Sequence, residues 1–180
     1  MAREIELKAR VDDYRLLMDR INAVEGISPP VAEHKADIYF SRPGEKKHFR
    51  VRLQDAYVII TSKTKEKRHD RTEDNHEIEF STNVESYPQV LAFFYSLGFV
   101  EYIRKEKTGW LWSLGRIALE LVQVGPLGWF VEMEIVLGDD ASDAEVLQAK
   151  SELFELIGKL GIAKEMLEDR YYMDLLREQV

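Results

Sequence analysis

Alternation of apolar and polar positions is the dominant pattern along the chain, and it is typical of half-buried β-strands. In the first strand, Arg3 to Arg10, the side chains of Ile5, Leu7 and Ala9 share one face and charged side chains share the other. Comparable alternation predicts seven more strands, at 31–41, 47–53, 56–63, 75–81, 99–113, 115–124 and 129–137. The pattern therefore predicts a chain in which β-structure dominates.

Helical spacing of apolar residues interrupts the strands at four places. Asp12 is the expected N-cap of the first helix, and Gly26 is its expected stop. Ser86 and Ser142 begin capping-box patterns, each with Gln or Glu three residues later. The four predicted helices cover approximately 12–25, 86–97, 142–160 and 164–178.

A weak internal repeat relates the two halves of the chain. A shift of 73 residues aligns 4–7 with 77–80, Val11 with Val84, and Tyr14 with Tyr87. Each copy consists of an acidic strand, a helix and three further strands. Two such halves predict an α+β fold dominated by β-structure: one eight-stranded antiparallel closed barrel with flanking helices, and 1–180 as a single domain.

Composition and charge narrow the function classes. Of the 180 residues, 45% are hydrophobic, which excludes a disordered or fibrous protein, and the absence of cysteine excludes thiol catalysis and cysteine metal sites. The net charge of −8 argues against a general nucleic-acid-binding surface. Carboxylates stand where a signal peptide needs an apolar core, and three glutamates interrupt the most apolar stretch, 117–137. We expect a cytoplasmic protein without a membrane span or a nucleic-acid partner.

Charged residues of like sign repeat along single strand faces. Glu4 and Glu6 share a face, as do Glu132 and Glu134, whereas another strand carries Arg50 and Arg52. On any single strand, such a face is most simply explained by exposure to water. Taken together, the pairs need counter-ions, because like charges at this spacing repel. Carboxylate pairs suit a hard divalent cation, and guanidinium groups suit phosphate, so the pattern predicts a site for a metal–polyphosphate complex.

The segment from Thr64 to Asn75 is almost entirely polar or charged. Its simplest interpretation, which we favour, is a mobile solvated hairpin loop. The functional alternative is a lid over an anionic ligand. The cations for such a lid would be Lys65, Lys67, Arg68 and Arg71.

The motifs, in their order along the chain, resemble those of the CYTH proteins, also called triphosphate tunnel metalloenzymes. The segment 4–8 (EIELK) is similar to the ExExK signature of that family, and its N-terminal position strengthens the match. Further segments resemble family strands: 37–40 (DIYF), 49–52 (FRVR), 61–63 (TSK), 77–79 (EIE) and 127–134 (LGWFVEME). The resemblance extends from about residue 2 to 175. The family includes class IV adenylyl cyclases, thiamine triphosphatases and inorganic triphosphatases.

The resemblance implies a charged tunnel that holds one or two Mg²⁺ or Mn²⁺ ions and a small-molecule triphosphate, in a protein that forms a homodimer. The implied metal ligands are Glu4, Glu6, Glu79, Glu120, Glu132 and Glu134. The implied catalytic residues are Glu4, Glu6, Lys8 and Glu134. The implied triphosphate-binding residues are Lys8, Arg50, Arg52, Lys63, Lys65, Arg104, Lys105, Lys107, Arg116 and Arg170.

One position departs from the family pattern. Asn75 stands where the family often has an arginine, two residues before the acidic pair Glu77 and Glu79, and Arg71 is a candidate to replace that cation. The four histidines lack metal-ligand spacing, so we expect them on the surface or in loops. The sequence alone does not determine the register of the strand 99–113. It therefore does not show which of Arg104, Lys105 and Lys107 face the tunnel.

The leading hypothesis is a class IV adenylyl cyclase-like enzyme that converts ATP to cyclic AMP and pyrophosphate. The alternative is a triphosphatase acting on inorganic or thiamine triphosphate, because the same phosphate clamp serves both reactions. A non-catalytic polyphosphate- or nucleotide-binding module is a hypothesis of a different class. Four glutamates argue against it, because anion binding needs no carboxylates: Glu4, Glu6, Glu132 and Glu134. A purely structural barrel predicts no thermal shift with Mn²⁺ plus triphosphate.

Overall fold

Among the described residues, eight antiparallel strands close into a barrel, as predicted. The computed structural model describes residues 2–45, 48–67 and 71–179, without the side chains of residues 2 and 65–67. The strands are β1 (Ala2–Val11), β2 (Val31–Ser41), β3 (His48–Gln54), β4 (Tyr57–Lys67), β5 (Glu73–Asn83), β6 (Val100–Leu114), β7 (Ile117–Val124) and β8 (Trp129–Gly138). Their order around the barrel is β1-β5-β4-β3-β2-β6-β7-β8, closing from β8 to β1.

The two halves of the chain interlock within this barrel. The first strand of each half pairs with the last strand of the other half, because β1 lies beside β8 and β5 lies beside β4. The first strands also pair with each other, and Arg3 lies directly opposite His76. These two residues are 73 positions apart, so the repeat found in the sequence is also a local two-fold relation in the barrel.

The apolar faces of the strands point outward, against helices, and the charged faces point inward. Ile5, Leu7 and Met133 are fully buried outside the barrel wall, in a cluster that also contains residues of two helices. Charged groups from strands that are not neighbours meet inside: Lys107 of β6 contacts Glu132 of β8. The barrel interior, which we call the lumen, is therefore polar and the surrounding layer is the hydrophobic core.

In the part of the chain that the structure describes, four α-helices flank the barrel: α1 (Tyr14–Asn22), α2 (Tyr87–Ser96), α3 (Asp143–Lys159) and α4 (Tyr172–Arg177). The predicted capping box of α3 is confirmed between Ser142 and Glu145. The N-cap of α1 is Asp13 rather than the predicted Asp12, because the Asp13 carboxylate accepts hydrogen bonds from the amides of Arg15 and Leu16. Within the described residues, no helix combines the length and apolarity needed to cross a membrane.

The predicted last helix, 164–178, is wrong as a continuous element. A 3₁₀ turn at Lys164–Met166 and the short helix α4 are separated by extended chain. In that chain Leu167 forms a β-bridge with Ala9, and the Glu168 amide donates to the Lys8 carbonyl at 2.9 Å. Contacts with β1 therefore replace the local helical hydrogen bonds.

The predicted solvated loop, 64–75, is also wrong at both of its ends. Strand β4 continues to Lys67, β5 begins at Glu73, and 72–75 are buried. The Asp74 carboxylate accepts two hydrogen bonds from Arg3, at 2.9 and 2.8 Å, which explains why a polar residue is buried here. Of the proposed lid, Arg68 and the side chains of Lys65 and Lys67 lie outside the described residues.

Candidate active site

A cavity of about 240 Å³ occupies part of the lumen. It is bordered by residues of β1 to β6 and of β8 and by the chain just before and within α4. We call it the lumen cavity. Its charged and hydroxyl-bearing lining residues are Glu6, Lys8, Tyr39, His48, Arg50, Thr61, Lys63, Glu73, Lys105, Lys107, Glu132, Tyr171 and Tyr172.

Lys63 is the centre of a group of carboxylates in the lumen. Its ammonium lies 3.4 Å from Glu4, 3.3 Å from Glu6 and 3.0 Å from Glu77. Glu134 lies opposite Glu6 in the register of β1 and β8. One lysine therefore balances several acidic groups that the strands hold at fixed spacing.

These carboxylates have strongly perturbed acidities. Burial raises the pKa of Glu134 to about 8, and repulsion from Glu4, Glu120 and Glu6 acts in the same direction. Burial likewise raises the pKa of Glu4 to about 7, although Lys63 opposes the shift. Burial also acts to raise the pKa of Glu6, but Lys63 and other lysines outweigh it and lower the pKa. The part of the lumen around Glu4, Glu6 and Glu134 therefore holds more carboxylates than its cations neutralise.

Lysines dominate the neighbouring part of the lumen. Lys107 contacts Glu132 at 2.5 Å and Glu120 at 3.5 Å. Lys8 contacts Glu73 at 3.4 Å and donates to the carbonyl oxygen of Arg170 at 2.8 Å. Although burial acts to raise the pKa of Glu132, Lys107 and Lys8 hold it below its usual range, so this carboxylate is ionised at neutral pH.

The two arginines of β3 have different partners. Arg52 is paired with the buried carboxylate of Asp37, whereas the Arg50 Nη2 atom donates to the Thr61 hydroxyl at 2.9 Å. The buried Nε atom of Arg50 has no hydrogen-bond partner among the described residues. Because an unmet buried donor is costly, Arg50 is the arginine better placed to bind an added anion.

Tyr172 lies against the lysine-rich part of the lumen. Its ring centroid is 4.5 Å from the Lys8 ammonium, 5.0 Å from that of Lys105 and 5.2 Å from that of Lys107. Its hydroxyl donates to Glu132, and its ring packs edge-on against Phe130. The C-terminal chain thus covers one side of the lumen with an aromatic ring.

The sequence of residues 2–172 matches the model of the CYTH domain. The chain belongs to the CYTH family. It is 25% identical over 179 residues, covering 96% of this chain and 97% of the other, to the Methanocaldococcus jannaschii protein named "Putative adenylate cyclase MJ0240". It resembles PH1012 from Pyrococcus horikoshii OT3 with a TM-score of 0.77 and 26% identity, over 96% of this chain and 98% of that one.

A more distant CYTH-type structure is HpAC1 from Hippeastrum, which is described as revealing a dominant triphosphatase activity. Its TM-score is 0.70 over 99% of this chain and 96% of that one. At 15% identity this likeness shows the fold alone.

The structure places most of the residues implied by the CYTH resemblance on the lumen side of the strands. Glu79 lies beside Arg50 and Thr61, but almost half of its side chain is exposed. The side chain of Lys65 lies outside the described residues. The residues that the lumen brings together are Glu4, Glu6, Lys8, Arg50, Arg52, Lys63, Lys107, Glu120, Glu132 and Glu134.

Three expected triphosphate-binding arginines lie elsewhere, which corrects the expectation for them. Arg104 is exposed and paired with Glu101, because on β6 the residues that face inward are Lys105 and Lys107. Arg116 belongs to the turn before β7 and pairs with Glu152. The Arg170 guanidinium pairs with Glu168 and Glu178, and only its carbonyl oxygen reaches Lys8.

Arg71 does not replace the cation missing at Asn75. Its guanidinium donates to the carbonyl oxygens of Lys164 and Leu167, in the C-terminal chain. Asn75 is fully buried, and neither atom of its amide has a partner among the described residues. Where the family often has an arginine, this protein therefore has the buried amide of Asn75 in the wall of the lumen. Among the described residues just before it, no arginine takes the place of that cation, since Arg71 binds the C-terminal chain.

Sequence reasoning missed two parts of the site. Lys35 contacts Glu120 at 2.5 Å, and its place two residues before Asp37 on the same strand face was a usable signal. Tyr172 has no local signal, because its position depends on the path of the C-terminal chain across the barrel.

Proposed function

We propose that this CYTH protein is a divalent-metal-dependent enzyme that acts on the triphosphate group of a nucleotide or a related small molecule. The preferred reaction is that of class IV adenylyl cyclases, from ATP to cyclic AMP and pyrophosphate. The name of the Methanocaldococcus jannaschii relative supports this choice.

The observation that carries the proposal is the joint burial of cations and carboxylates in one lumen. Lys8, Lys105 and Lys107 are each at most 5% exposed, and Glu6 is 8% exposed. Burying so many charged groups costs free energy unless each of them is paired with a group of opposite charge. We therefore expect the lumen to bind a charged ligand. A polyphosphate with its metal ions brings charges of both signs and satisfies both sets.

The donor set fits Mg²⁺ or Mn²⁺ chemically. Glu4, Glu6, Glu132 and Glu134 offer only carboxylate oxygens, the ligands that hard divalent cations prefer. Burial, and after it repulsion from neighbouring carboxylates, raises the pKa values of Glu4 and Glu134, and a bound cation would offset both effects. Among the described residues, no group of three His, Asp or Glu side chains is already arranged to hold an ion, so binding requires these side chains to move.

The lysines and Arg50 would bind the phosphate oxygens, while the buried walls of the lumen exclude water from the reacting group. A bound divalent cation supplies charge neutralisation on the phosphates and on the leaving group. Lys8 and Lys107 would exchange part of their present contacts with Glu73 and Glu132 for contacts with phosphate. Arg50 would use the Nε donor that now has no partner.

Triphosphatase activity is the second candidate, and the activity described for the Hippeastrum protein favours keeping it. In a cyclase the ribose 3′-hydroxyl attacks the α-phosphorus and pyrophosphate leaves. In a triphosphatase water attacks the terminal phosphorus and releases phosphate. The phosphate-binding residues serve either reaction, so the products decide between them.

The test is a product analysis with purified protein. The protein is incubated with Mg²⁺ or Mn²⁺ and, separately, ATP, inorganic triphosphate or thiamine triphosphate, and cyclic AMP, pyrophosphate and phosphate are separated. Cyclic AMP with equimolar pyrophosphate supports the cyclase, and phosphate release supports the triphosphatase. No metal-dependent product and no thermal shift with Mn²⁺ plus triphosphate would reject both.

A further inference from the structure

The two halves of the barrel differ in what covers the outer face of their first strand. The 73-residue shift that relates the halves aligns Ile5 of β1 with Ile78 of β5, and it aligns Leu7 in the same way. The partner of Leu7 is Phe80. The two β1 residues are fully buried, whereas Ile78 is 59% exposed and Phe80 is 61% exposed. Equivalent apolar positions are therefore core in one half and surface in the other.

Helix α3 accounts for this difference. It follows β8, the last strand of the second half, and it packs on β1 and β8 with a stripe that includes Val146, Ala149 and Leu153. The corresponding strands of the other half are β5 and β4, and only residues 68–72 lie between them. So short a connection cannot form a helix of that length, so within the described chain this pair has no counterpart of α3.

The uncovered face forms one wall of a groove of about 930 Å³, which we call the outer groove. The outer sides of β3, β4 and β5 form this wall, and helix α2 forms the other. Ile60 and Phe80 of the strands and Val90 and Phe93 of α2 lie along it. Apolar surface of this extent is typical of an interaction site.

The exposed apolar surface along the outer groove matches what a stable dimer needs. Four side chains there are between 49% and 61% exposed: Ile78, Phe80, Phe93 and Leu97, one turn beyond Phe93. With about 200 Å² for each whole side chain, they expose roughly 450 Å². A standard interface buries about 800 Å² per partner, of which about 57% is apolar, which is again roughly 450 Å².

The rim of the outer groove carries charges of both signs. Arg42 and Glu45 are both exposed and lie between β2 and β3. The Arg42 guanidinium lies over the ring of Phe99, 4.9 Å from its centroid. A two-fold axis brings a surface against a copy of itself, so a rim of one sign would repel its own copy. This rim instead offers Arg42 of one copy to Glu45 of the other.

We propose that the outer groove is an interface between two copies of this chain. Phe93 and Leu97 on α2 of each copy pack against the β4–β5 face of the other, around Phe80. Helix α2 then covers that face in the second copy as α3 covers β1 and β8 within one copy. The contact is the same on both sides, so it closes as a dimer and does not extend into a filament. The inference does not depend on the proposed function, because it concerns the outside of the barrel.

The test is the mass of the protein in solution, measured by sedimentation velocity over a range of concentrations. We expect the wild-type protein to form a dimer of 21.0 kDa chains. Phe93→Glu places a charge in the interface and raises the dimer Kd at least about 30-fold, as expected for an interface hot spot. Leu147→Glu, at a 70% exposed apolar position of α3, is the matched control and leaves the Kd unchanged.

A charge exchange tests the two-fold geometry. Arg42→Glu puts like charges together at the rim and raises the Kd about 2- to 5-fold, and adding Glu45→Arg restores it. Circular dichroism checks that each variant is folded.

Other results would overturn the proposal. Wild-type protein that stays monomeric throughout the micromolar range would reject a second copy as the occupant and leave the outer groove to a different partner. A dimer that persists in Phe93→Glu, or equal weakening by Leu147→Glu, would place the interface elsewhere. No rescue by the double charge exchange would reject the two-fold pairing of Arg42 with Glu45, and with it this arrangement of the two copies.

Discussion

Asp37 and Arg52 form a two-pronged ion pair across neighbouring strands of the lumen wall. The Arg52 Nε and Nη2 atoms donate to the two carboxylate oxygens at 2.7 and 3.1 Å, and Lys105 lies 2.9 Å from the same carboxylate. Burial acts to raise the pKa of Asp37, but these two cations hold it well below its usual range. Part of the charge in the lumen is therefore structural, and part is left for a ligand.

Asp37→Asn leaves Arg52 and Lys105 buried without their carboxylate. We expect the free energy of unfolding to fall by about 3–5 kcal/mol, the usual cost of breaking a buried pair on one side. Urea unfolding followed by circular dichroism measures it. Glu101→Gln at the surface is the control and changes stability by less than about 0.5 kcal/mol. A loss of stability no greater than that of the control would contradict a structural role for the pair.

Arg50→Ala tests the ligand-binding part of the lumen. Because Arg50 has an unmet buried donor, we expect little loss of stability. Losing charge-assisted hydrogen bonds to phosphate lowers kcat/KM about 10- to 150-fold. Arg116→Ala removes an arginine that pairs with Glu152 at the surface and should leave turnover unchanged. Equal effects of the two substitutions would show that Arg50 does not contact the substrate.

Tyr172 is expected to stabilise the closed C-terminal side of the lumen mainly through its ring. Tyr172→Phe removes only the hydroxyl that donates to Glu132, and we expect a loss of about 1–2 kcal/mol. Tyr172→Ala also leaves a cavity beside Phe130 and three lysines, with an expected loss of about 3–5 kcal/mol. Thermal and urea unfolding distinguish the two. Equal losses would assign the stabilisation to the hydroxyl instead.

Glu168 makes part of the stability pH-dependent. Hydrogen bonds from Arg170 lower its pKa from 4.5 to about 2, although burial opposes the shift. A pKa lowered in the folded state stabilises the protein above about pH 4.5, and this contribution disappears as the pH falls towards 2. Because Arg170 is 42% exposed, we expect no more than about 2 kcal/mol.

The corresponding measurement compares wild-type and Glu168→Gln unfolding free energies between pH 7 and pH 2.5. The variant should be less stable at pH 7, and the difference should shrink as the pH falls below 4.5. A difference that stays constant over this range would show that the ionised carboxylate is not the source of the stabilisation.

Strand alternation was sufficient to predict the barrel, because its apolar and charged faces are separated residue by residue. The same rule failed where polar residues form buried strand, as at Asn75, since a polar sequence gives no sign of a polar interior. It also failed for the last helix, where contact between Leu167 and β1 outweighs local helical spacing.

The candidate site was predictable to the extent that strand faces define it. The order of the strands brings Lys107 and Glu132 together. Whether the side chains of Arg104 and Arg116 face the lumen depends on strand register and on turns, and the motifs specify neither. The homodimer, the single domain and the cytoplasmic location stay predictions.

The most direct test of the central claim is the metal-dependent turnover of the Glu4→Ala, Glu6→Ala double variant. Its matched control is Glu152→Ala, Glu155→Ala, which removes two carboxylates paired at the surface with Arg116 and Lys159. Both proteins are assayed with ATP and inorganic triphosphate in Mg²⁺ and Mn²⁺, after their folds are checked by circular dichroism. We predict that the lumen variant stays folded and loses turnover while the control retains it. Wild-type rates from the folded lumen variant would contradict the assignment of the lumen carboxylates to catalysis.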